Sequence, residues 1–425
     1  MKMKNILYMM VLFIGFSACK KDRVVSYEIE KSFPDPAVRF EDFKKAMATG
    51  TDGFQMIIET TAGPIYAGYI KLDGSNNAKF VSDNNVTNAT TPKDTKYTLA
   101  ISQTNSVLSF SKTGNFSLFA AGIAADTSYT YKMSVGDTLK LSGNATGTKL
   151  KLVKVTKAVG DDYLAGKMGT VFTSIDNLNK FKKYFKRLTT GGKSYDIMFD
   201  IPTKSLIFMY SNGTDWATFK SKIYYTNSGV VLTTPFVDGA NKISSIENLA
   251  VDVASSTATL TSGGAAATLT NEISPVAVNK TAAATFISKP PQGTYAESFT
   301  GFTINGVADG LGTTSLSGFS SLDFVAKVTI GTASYSSLRL YLATGYYGYL
   351  PAFTCTTPAD GKLFCKLAGY AGTSTNATIT AGVISYTTVI TQAEGFYVIP
   401  TTAITGANTY DLVNARDATA WISFH

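Results

Sequence analysis

The sequence predicts a mainly β protein: a β-rich α+β N-terminal part with two short helices, followed by an all-β, sandwich-like C-terminal module. Three observations carry that reading. Charged residues make up only 16% of the chain, and Thr, Ser, Gly and aromatics replace them, with 36 Gly, 23 Tyr and 26 Phe. β-Branched and aromatic residues suit a pleated, half-buried surface, and Gly suits turns. Short apolar runs of strand length recur along the chain, and clusters of Asn, Asp, Gly and Ser punctuate them. At 425 residues the chain exceeds one ordinary core and predicts two or three domains. A hydrophobic content of 44% is ample for packed cores and argues against disorder. The one His is the last residue, His425, which removes nearly all His-based triads, acid–base pairs and zinc sites.

Residues 1–18 read as a lipoprotein signal peptide. Lys2 and Lys4 form a basic start, and residues 6–16 an apolar run shorter than the roughly 20 residues of a membrane span. Ser17-Ala18-Cys19 then matches a lipobox, so cleavage leaves Cys19 as the lipid-bearing first residue. Several acyl chains on one residue anchor stably where one chain is marginal. Losing residues 1–18 removes two lysines and no acid, taking the formal charge from +8 to +6. The lysines are dispersed and an exported protein seldom meets nucleic acid, so the charge serves solubility.

Residues 19–34 read as lipid anchor and tether. A helix follows, with Asp35 as N-cap, Pro36 at the first position and Phe40, Phe43 and Met47 as its buried stripe. Strands are expected at 54–59 and 65–70 around a Gly63-Pro64 turn, then at 79–81, 96–102, 107–111 and 138–155. A second helix is expected at 175–188, with Leu178, Phe181, Tyr184 and Phe185 inward and Lys180, Lys182, Lys183, Lys186 and Arg187 as a solvated basic flank. Strands resume at 195–199, 206–210, 219–225 and 230–233. The Ala/Thr/Gly/Ser-rich stretch 254–284 is either weakly packed strand or linker. Lys289-Pro290-Pro291-Gln292-Gly293 marks the boundary. Residues 35–288 thus form the β-rich part, divided near 160, and 289–425 the C-terminal module, with strands at 323–330, 337–342, 384–390 and 395–399.

Cys355 and Cys365 flank Ala359-Asp360-Gly361, a three-residue hairpin loop with Gly361 in the left-handed position. Pro358 then faces Lys362, and the same register opposes the two cysteines within disulfide reach. A disulfide is expected, with two buried thiols as the alternative; no CxxC motif is present.

Several blocks resemble a known family. Phe33-Pro34-Asp35-Pro36-Ala37-Val38-Arg39, a helix and Gly53-Phe54 are similar to the opening of a Bacteroidota cell-envelope lipoprotein family known as domain of unknown function 4302, with Phe54 where the family has Trp. Leu108-Ser109-Phe110 with Leu118-Phe119, Leu139-Lys140-Leu141-Ser142-Gly143 with Lys149-Leu150-Lys151-Leu152, and the run from Tyr225 to Pro235 resemble its later blocks, in order, over residues 33–260. The resemblance implies an exported outer-membrane lipoprotein that accompanies SusC/SusD-like uptake systems, and it brings no catalytic residues. Lys20-Lys21-Asp22-Arg23 is less acidic than the usual surface-export signal of this phylum, so the membrane face stays open.

Gly345-Tyr346-Tyr347-Gly348-Tyr349 is the most suggestive binding feature. Its three tyrosines offer a stacking platform for sugar rings or a flat partner, against the alternative that they pack inward and outward along a strand. The doublet Asp161-Asp162 is a weak catalytic pair, because strand neighbours face opposite ways and turn acids usually cap. No Gly-x-Ser-x-Gly elbow, phosphate loop or EF-hand spacing occurs. No cofactor or metal is expected. The leading expectation is a non-enzymatic, membrane-anchored binder of a glycan or peptide serving an outer-membrane transporter. An adhesive or structural interaction protein comes second, and a carboxylate-only glycoside hydrolase third.

Overall fold

The computed structural model describes residues 35–213, 215–401 and 408–425. The expected signal peptide, Cys19 and the tether lie outside the described residues. The described chain builds three β units in sequence order: two closed eight-stranded barrels and one ten-stranded sheet.

The first barrel is a meander of β1 (Phe54–Glu59), β2 (Ile65–Leu72), β3 (Asn77–Ser82), β4 (Lys93–Ser102), β5 (Asn105–Phe110), β6 (Ser128–Val135), β7 (Thr138–Gly143) and β8 (Lys149–Lys154). Each strand pairs antiparallel with its chain neighbour, and β8 returns to β1 with Glu59 opposite Lys149. Closure leaves no unpaired edge. Alternation sends Met56, Ile58, Phe80, Leu108, Leu139, Leu141, Leu150 and Leu152 inward, while Lys140, Lys149 and Lys151 face outward. Helix α1 (Pro36–Ala48) adds Phe43 and Met47 to this core, and the Asp35 carboxylate accepts from the Ala37 N–H at 2.7 Å as its cap. Gly50 follows because a Cβ there would lie 2.0 Å from the Phe54 ring. Two helices absent from the sequence expectation lie within this barrel's connections, α2 (Val86–Thr90) and α3 (Asn115–Gly122). Phe116 of α3 stacks on Phe110 at 3.7 Å.

Helices α4 (Lys157–Leu164) and α5 (Lys167–Asn179) join the barrels. The second barrel comprises β9 (Phe185–Thr190), β10 (Lys193–Asp200), β11 (Ser205–Ser211), β12 (Trp216–Tyr225), β13 (Gly229–Asp238), β14 (Asn241–Asp252), β15 (Thr257–Ser262) and β16 (Ala265–Glu272). This corrects the expected helix at 175–188. The helix ends at Asn179, and Phe185–Thr190 is a strand that pairs with both β10 and β16 to close the barrel. A long-range pairing outweighed a local helical spacing. The expected basic flank is dispersed: Arg187 pairs with buried Asp196 at 2.8 Å, and Lys183 donates to the Asn271 carbonyl at 3.3 Å. The apolar stripe of α5 is Met168, Val171, Ile175 and Leu178, all buried in the second core.

The pale stretch 254–284 is structured throughout most of its length, containing β15, β16 and the start of α6 (Ala282–Ser288). Small residues suit that wall, because Phe208 and Phe236 stack at 4.4 Å in the interior and Tyr195 meets Phe236 edge-on at 5.0 Å. Ala258 and Ala267 line the same core.

The C-terminal unit contains β17 (Tyr295–Ser298), β18 (Thr303–Ile304), β19 (Phe319–Ile330), β20 (Ala333–Leu342), β21 (Gly345–Tyr346), β22 (Leu350–Thr356), β23 (Lys362–Ala371), β24 (Phe396–Pro400), β25 (Tyr410–Asn414) and β26 (Ala420–Phe424). Its sheet curls until Glu297 and His425 exchange backbone hydrogen bonds of 3.0 and 2.8 Å. Ala282, Ala283 and Phe286 of α6 belong to this core, so the unit begins before the expected boundary at 289. The expected strand at 384–390 is the end of α7 (Ala377–Ile390). Its β-branched run reads as strand by propensity, yet Ile379, Val383, Tyr386 and Ile390 form one buried helical face. In the hairpin of β22 and β23, Cys355 faces Cys365 and the two form a disulfide. Gly361, at φ +83°, donates its N–H to the Pro358 carbonyl and supplies the left-handed turn residue.

Two junctions hold the units together. Between the barrels, Tyr69 stacks on Tyr163 at 5.4 Å, and the Lys204 ammonium meets the Asp83 carboxylate at 2.5 Å. Between the second barrel and the C-terminal unit, the Tyr184 hydroxyl donates to Asp411 at 2.7 Å within a cluster containing Phe185, Met209 and Val413.

Candidate ligand-binding face

The outer face of β17, β19, β20 and β21 carries a group of polar and aromatic residues placed by strand register. Ala296, Leu322, Phe324, Leu338 and Leu340 point into the core. Residues of the opposite parity therefore share the other face. Glu297 is directly opposite Asp323, and Asp323 directly opposite Arg339, which forms one lateral row across three strands. The next row sets Ser321 opposite Tyr341, and Tyr341 opposite Tyr346.

The row holds polar groups whose bonding capacity is not filled by protein. Asp323 is only 5% exposed and accepts one hydrogen bond from the Ser321 hydroxyl at 2.7 Å. Burial, reinforced by the Glu297 charge and opposed by Ser321 and Arg339, raises its carboxyl to about 6. The Arg339 Nε is buried with no hydrogen-bond partner, and among the described residues its guanidinium makes no ion pair within 4.0 Å. That guanidinium lies 5.3 Å from the centre of the Tyr346 ring, a cation–π contact. Tyr346 is 53% exposed, and Tyr341 approaches it at 6.0 Å with the rings inclined by 64°.

The three expected platform tyrosines are not brought together, which corrects the row expected from sequence. Tyr347 is 7% exposed and belongs to the core. Its hydroxyl accepts from the Thr375 and Asn376 N–H groups at 3.0 and 2.8 Å and sits 2.9 Å from the Thr380 hydroxyl. Burial alone would raise that phenol, but these hydrogen bonds bring it down to about 8. Tyr349 is half-buried and stacked on Tyr370 at 4.7 Å. Strand β21 ends at Tyr346, so one-residue alternation does not govern the next two rings. Tyr346 alone of the three remains open. Asp161 and Asp162 also diverge, Asp161 to Lys157 at 2.5 Å and Asp162 to Lys167 at 2.6 Å. Trp216 and Trp421 pack at the junction of the second barrel with the C-terminal unit.

Sequence reasoning missed Glu297, Asp323, Arg339 and Tyr341. One signal was visible: Asp323 interrupts the apolar run Leu322-Asp323-Phe324-Val325, and a charge inside a strand-like run needs a partner. Among the described residues no three His, Cys, Asp or Glu side chains gather to hold a metal. No described helix is long and apolar enough to cross a membrane.

Asp323 has a pH-dependent consequence. Its folded carboxyl titrates above the ordinary value of 3.8, so its contribution to stability is fully present below about pH 4 and is lost as pH rises through about 6. Replacing it with Asn should stabilise the chain at pH 7.5 by about 2 kcal/mol, less than the full shift because the Asn amide is itself polar and buried, and leave stability at pH 4 nearly unchanged. Urea midpoints at the two pH values check this; an equal effect at both would contradict the burial account.

The chain is a three-part β protein, and it belongs to the family described as Domain of unknown function (DUF4302), whose model matches residues 37–249, half of the chain. The match spans the first barrel and the second as far as β14, and the Glu297–Tyr346 face lies beyond it. No curated protein matches the chain. Among solved structures, the crystal structure of the DNA polymerase III beta chain from Streptococcus pneumoniae TIGR4 aligns at 10% identity over 91% of this chain and 97% of that one. Its TM-score of 0.15 carries no argument about fold.

Proposed function

We propose that this chain is an exported, lipid-anchored cell-envelope protein that captures a saccharide without transforming it, in the service of an outer-membrane transporter of the SusC/SusD kind. The observation that supports capture is the open Tyr346 ring beside the underused Asp323 and Arg339 groups. A sugar ring presents an apolar C–H face and a rim of hydroxyls. Tyr346 suits the face, the Asp323 carboxylate accepts from one hydroxyl, and the Arg339 guanidinium donates to another. A peptide has backbone groups at strand spacing and would call for an open sheet edge instead. Anchoring rests on the lipobox at Cys19 and on the resemblance of the N-terminal blocks.

A second reading follows from the register of Glu297 and Asp323. Directly opposed residues have Cβ atoms about 5 Å apart, and a carboxyl raised by burial with a second carboxyl opposite it is the pairing that glycoside hydrolysis uses. Tyr346 stands open beside this pair, whereas hydrolysis needs both sides of the glycosidic bond enclosed, which favours binding.

The test has two arms. Metabolic labelling with radioactive palmitate should mark the full chain in its host and fail with Cys19→Ala. A glycan and peptide array probed with the soluble chain from Lys20 onward should show saccharide binding that Tyr346→Ala abolishes while Tyr347→Phe retains it. Binding to peptides alone, or saccharide binding indifferent to Tyr346, would overturn the assignment. Release of reducing sugar from the bound glycan would establish the second reading.

A further inference from the structure

A cavity of about 380 Å³ lies between the second barrel and the C-terminal unit, and its lining includes Lys186, Tyr184, Asp411, Met198, Met209 and Trp421. We propose that this cavity is a second binding site, for a small organic carboxylate whose charge pairs with Lys186 and whose apolar body lies against Trp421, Met198 and Met209.

Lys186 is the unusual member. It sits on β9 just beyond the last β9–β10 pair, Arg187 with Asp196, where inner-face Ile197 and outer-face Met198 and Met209 line the same cavity. Among the described residues it makes no ion pair and no hydrogen bond, and it is part of the cavity lining. Burial alone lowers it from 10.5 to about 8. At neutral pH the amine still carries its proton, in a half-buried place with no protein counter-charge. A cavity beside a charge without a partner is room for the missing anion, and its volume falls in the range of small-molecule sites.

Asp411 and Tyr184 are the other titratable groups lining the cavity. Asp411 accepts from the Tyr184 hydroxyl at 2.7 Å, which occupies part of its bonding capacity, and burial raises its carboxyl. Arg187, next in sequence, has the opposite parity and is spent on Asp196. The apolar side, with one indole and two flexible thioethers, suits a compact flat or branched carbon body rather than a second charge.

The test is isothermal titration of the soluble chain with benzoate and with benzamide, its neutral isostere, at pH 7 and pH 9. Benzoate should bind at pH 7 at least ten-fold more tightly than benzamide, and lose about ten-fold in affinity at pH 9, where most of the amine is uncharged. Lys186→Met should remove the preference for the charged ligand, and Lys186→Arg should restore it and carry it through pH 9. Circular dichroism of each variant separates loss of binding from loss of folding. Equal affinities for the two ligands, a preference unchanged in Lys186→Met, or no benzoate binding at pH 7 would each overturn the proposal.

Discussion

Replacing Asp83 with Ala should cost about 3–5 kcal/mol of stability, the effect of stripping one partner from a buried ion pair. Asp83 immediately follows β3 of the first barrel, and Lys204 lies in the turn between β10 and β11 of the second. Both are buried, and their charges meet at 2.5 Å. The Asp83 carboxylate also accepts from the Ala67 N–H at 2.8 Å and from the Tyr225 N–H at 3.0 Å, one from each barrel. The Lys204 ammonium lies 4.4 Å from the centre of the Tyr66 ring. Burial lowers the Lys204 amine, and the Asp83 carboxylate opposes that shift. Without Asp83 the ammonium is left in the junction and two backbone donors lose their acceptor. The double variant Asp83→Ala/Lys204→Met should recover at least 2 kcal/mol of the loss, because it removes the stranded charge along with its partner. Urea denaturation of wild type, both single variants and the double variant checks this. A cost below about 1 kcal/mol for Asp83→Ala would mean that the stacked Tyr69 and Tyr163, not the ion pair, govern the junction.

The second large effect has the opposite sign. Lys186→Met should stabilise the chain at pH 7 by about 2–3 kcal/mol, a figure reduced for the part of the side chain that remains open to the cavity. Burial disfavours the charged amine, holding it near 8 against 10.5 in the unfolded chain. The folded state therefore bears the full penalty below about pH 8, and the penalty fades as pH rises toward 10.5. Met keeps the apolar stem and removes the charge. The stability difference between variant and wild type should accordingly be largest at pH 7 and shrink by pH 10. Thermal melts across that range measure it. No gain at pH 7 would place the Lys186 charge in a better-solvated setting than the cavity geometry gives it. A residue that destabilises its own fold and has no protein partner is the kind of feature retained for binding.

Local features were legible in the sequence and distant ones were not. The stripe of Phe43 and Met47, the Asp35 cap and the Cys355–Cys365 register each depend on residues within about ten positions of one another, where spacing alone dictates geometry. Barrel closure depends on Glu59 finding Lys149 and Phe185 finding Glu272, pairings far apart in sequence with no local signature. That is why residues 185–188 read as helix from their local spacing although they belong to a strand. The run at the end of α7 misled in another way: its β-branched residues favour strand, and the buried face made by Val383, Tyr386 and Ile390 overrides that preference. The candidate face divides along the same line. Tyr346 was visible as an aromatic among glycines, whereas Asp323, Arg339 and Glu297 form a row only through the registers of separate strands. The fates of Tyr347 and Tyr349 depended on Asn376 and Tyr370, more than twenty residues downstream.

The central claim is saccharide capture by the outer face of the C-terminal sheet. The most direct measurement is isothermal titration of the glycan selected by the array against wild type, Tyr346→Ala, Arg339→Ala and Tyr347→Phe. Loss of one stacked aromatic ring is expected to weaken binding roughly ten-fold or more. Tyr346→Ala and Arg339→Ala should each do so while keeping the wild-type circular dichroism spectrum, and Tyr347→Phe should leave affinity within about two-fold. Full affinity in both the Tyr346 and the Arg339 variants would contradict the account and place the ligand elsewhere on the molecule.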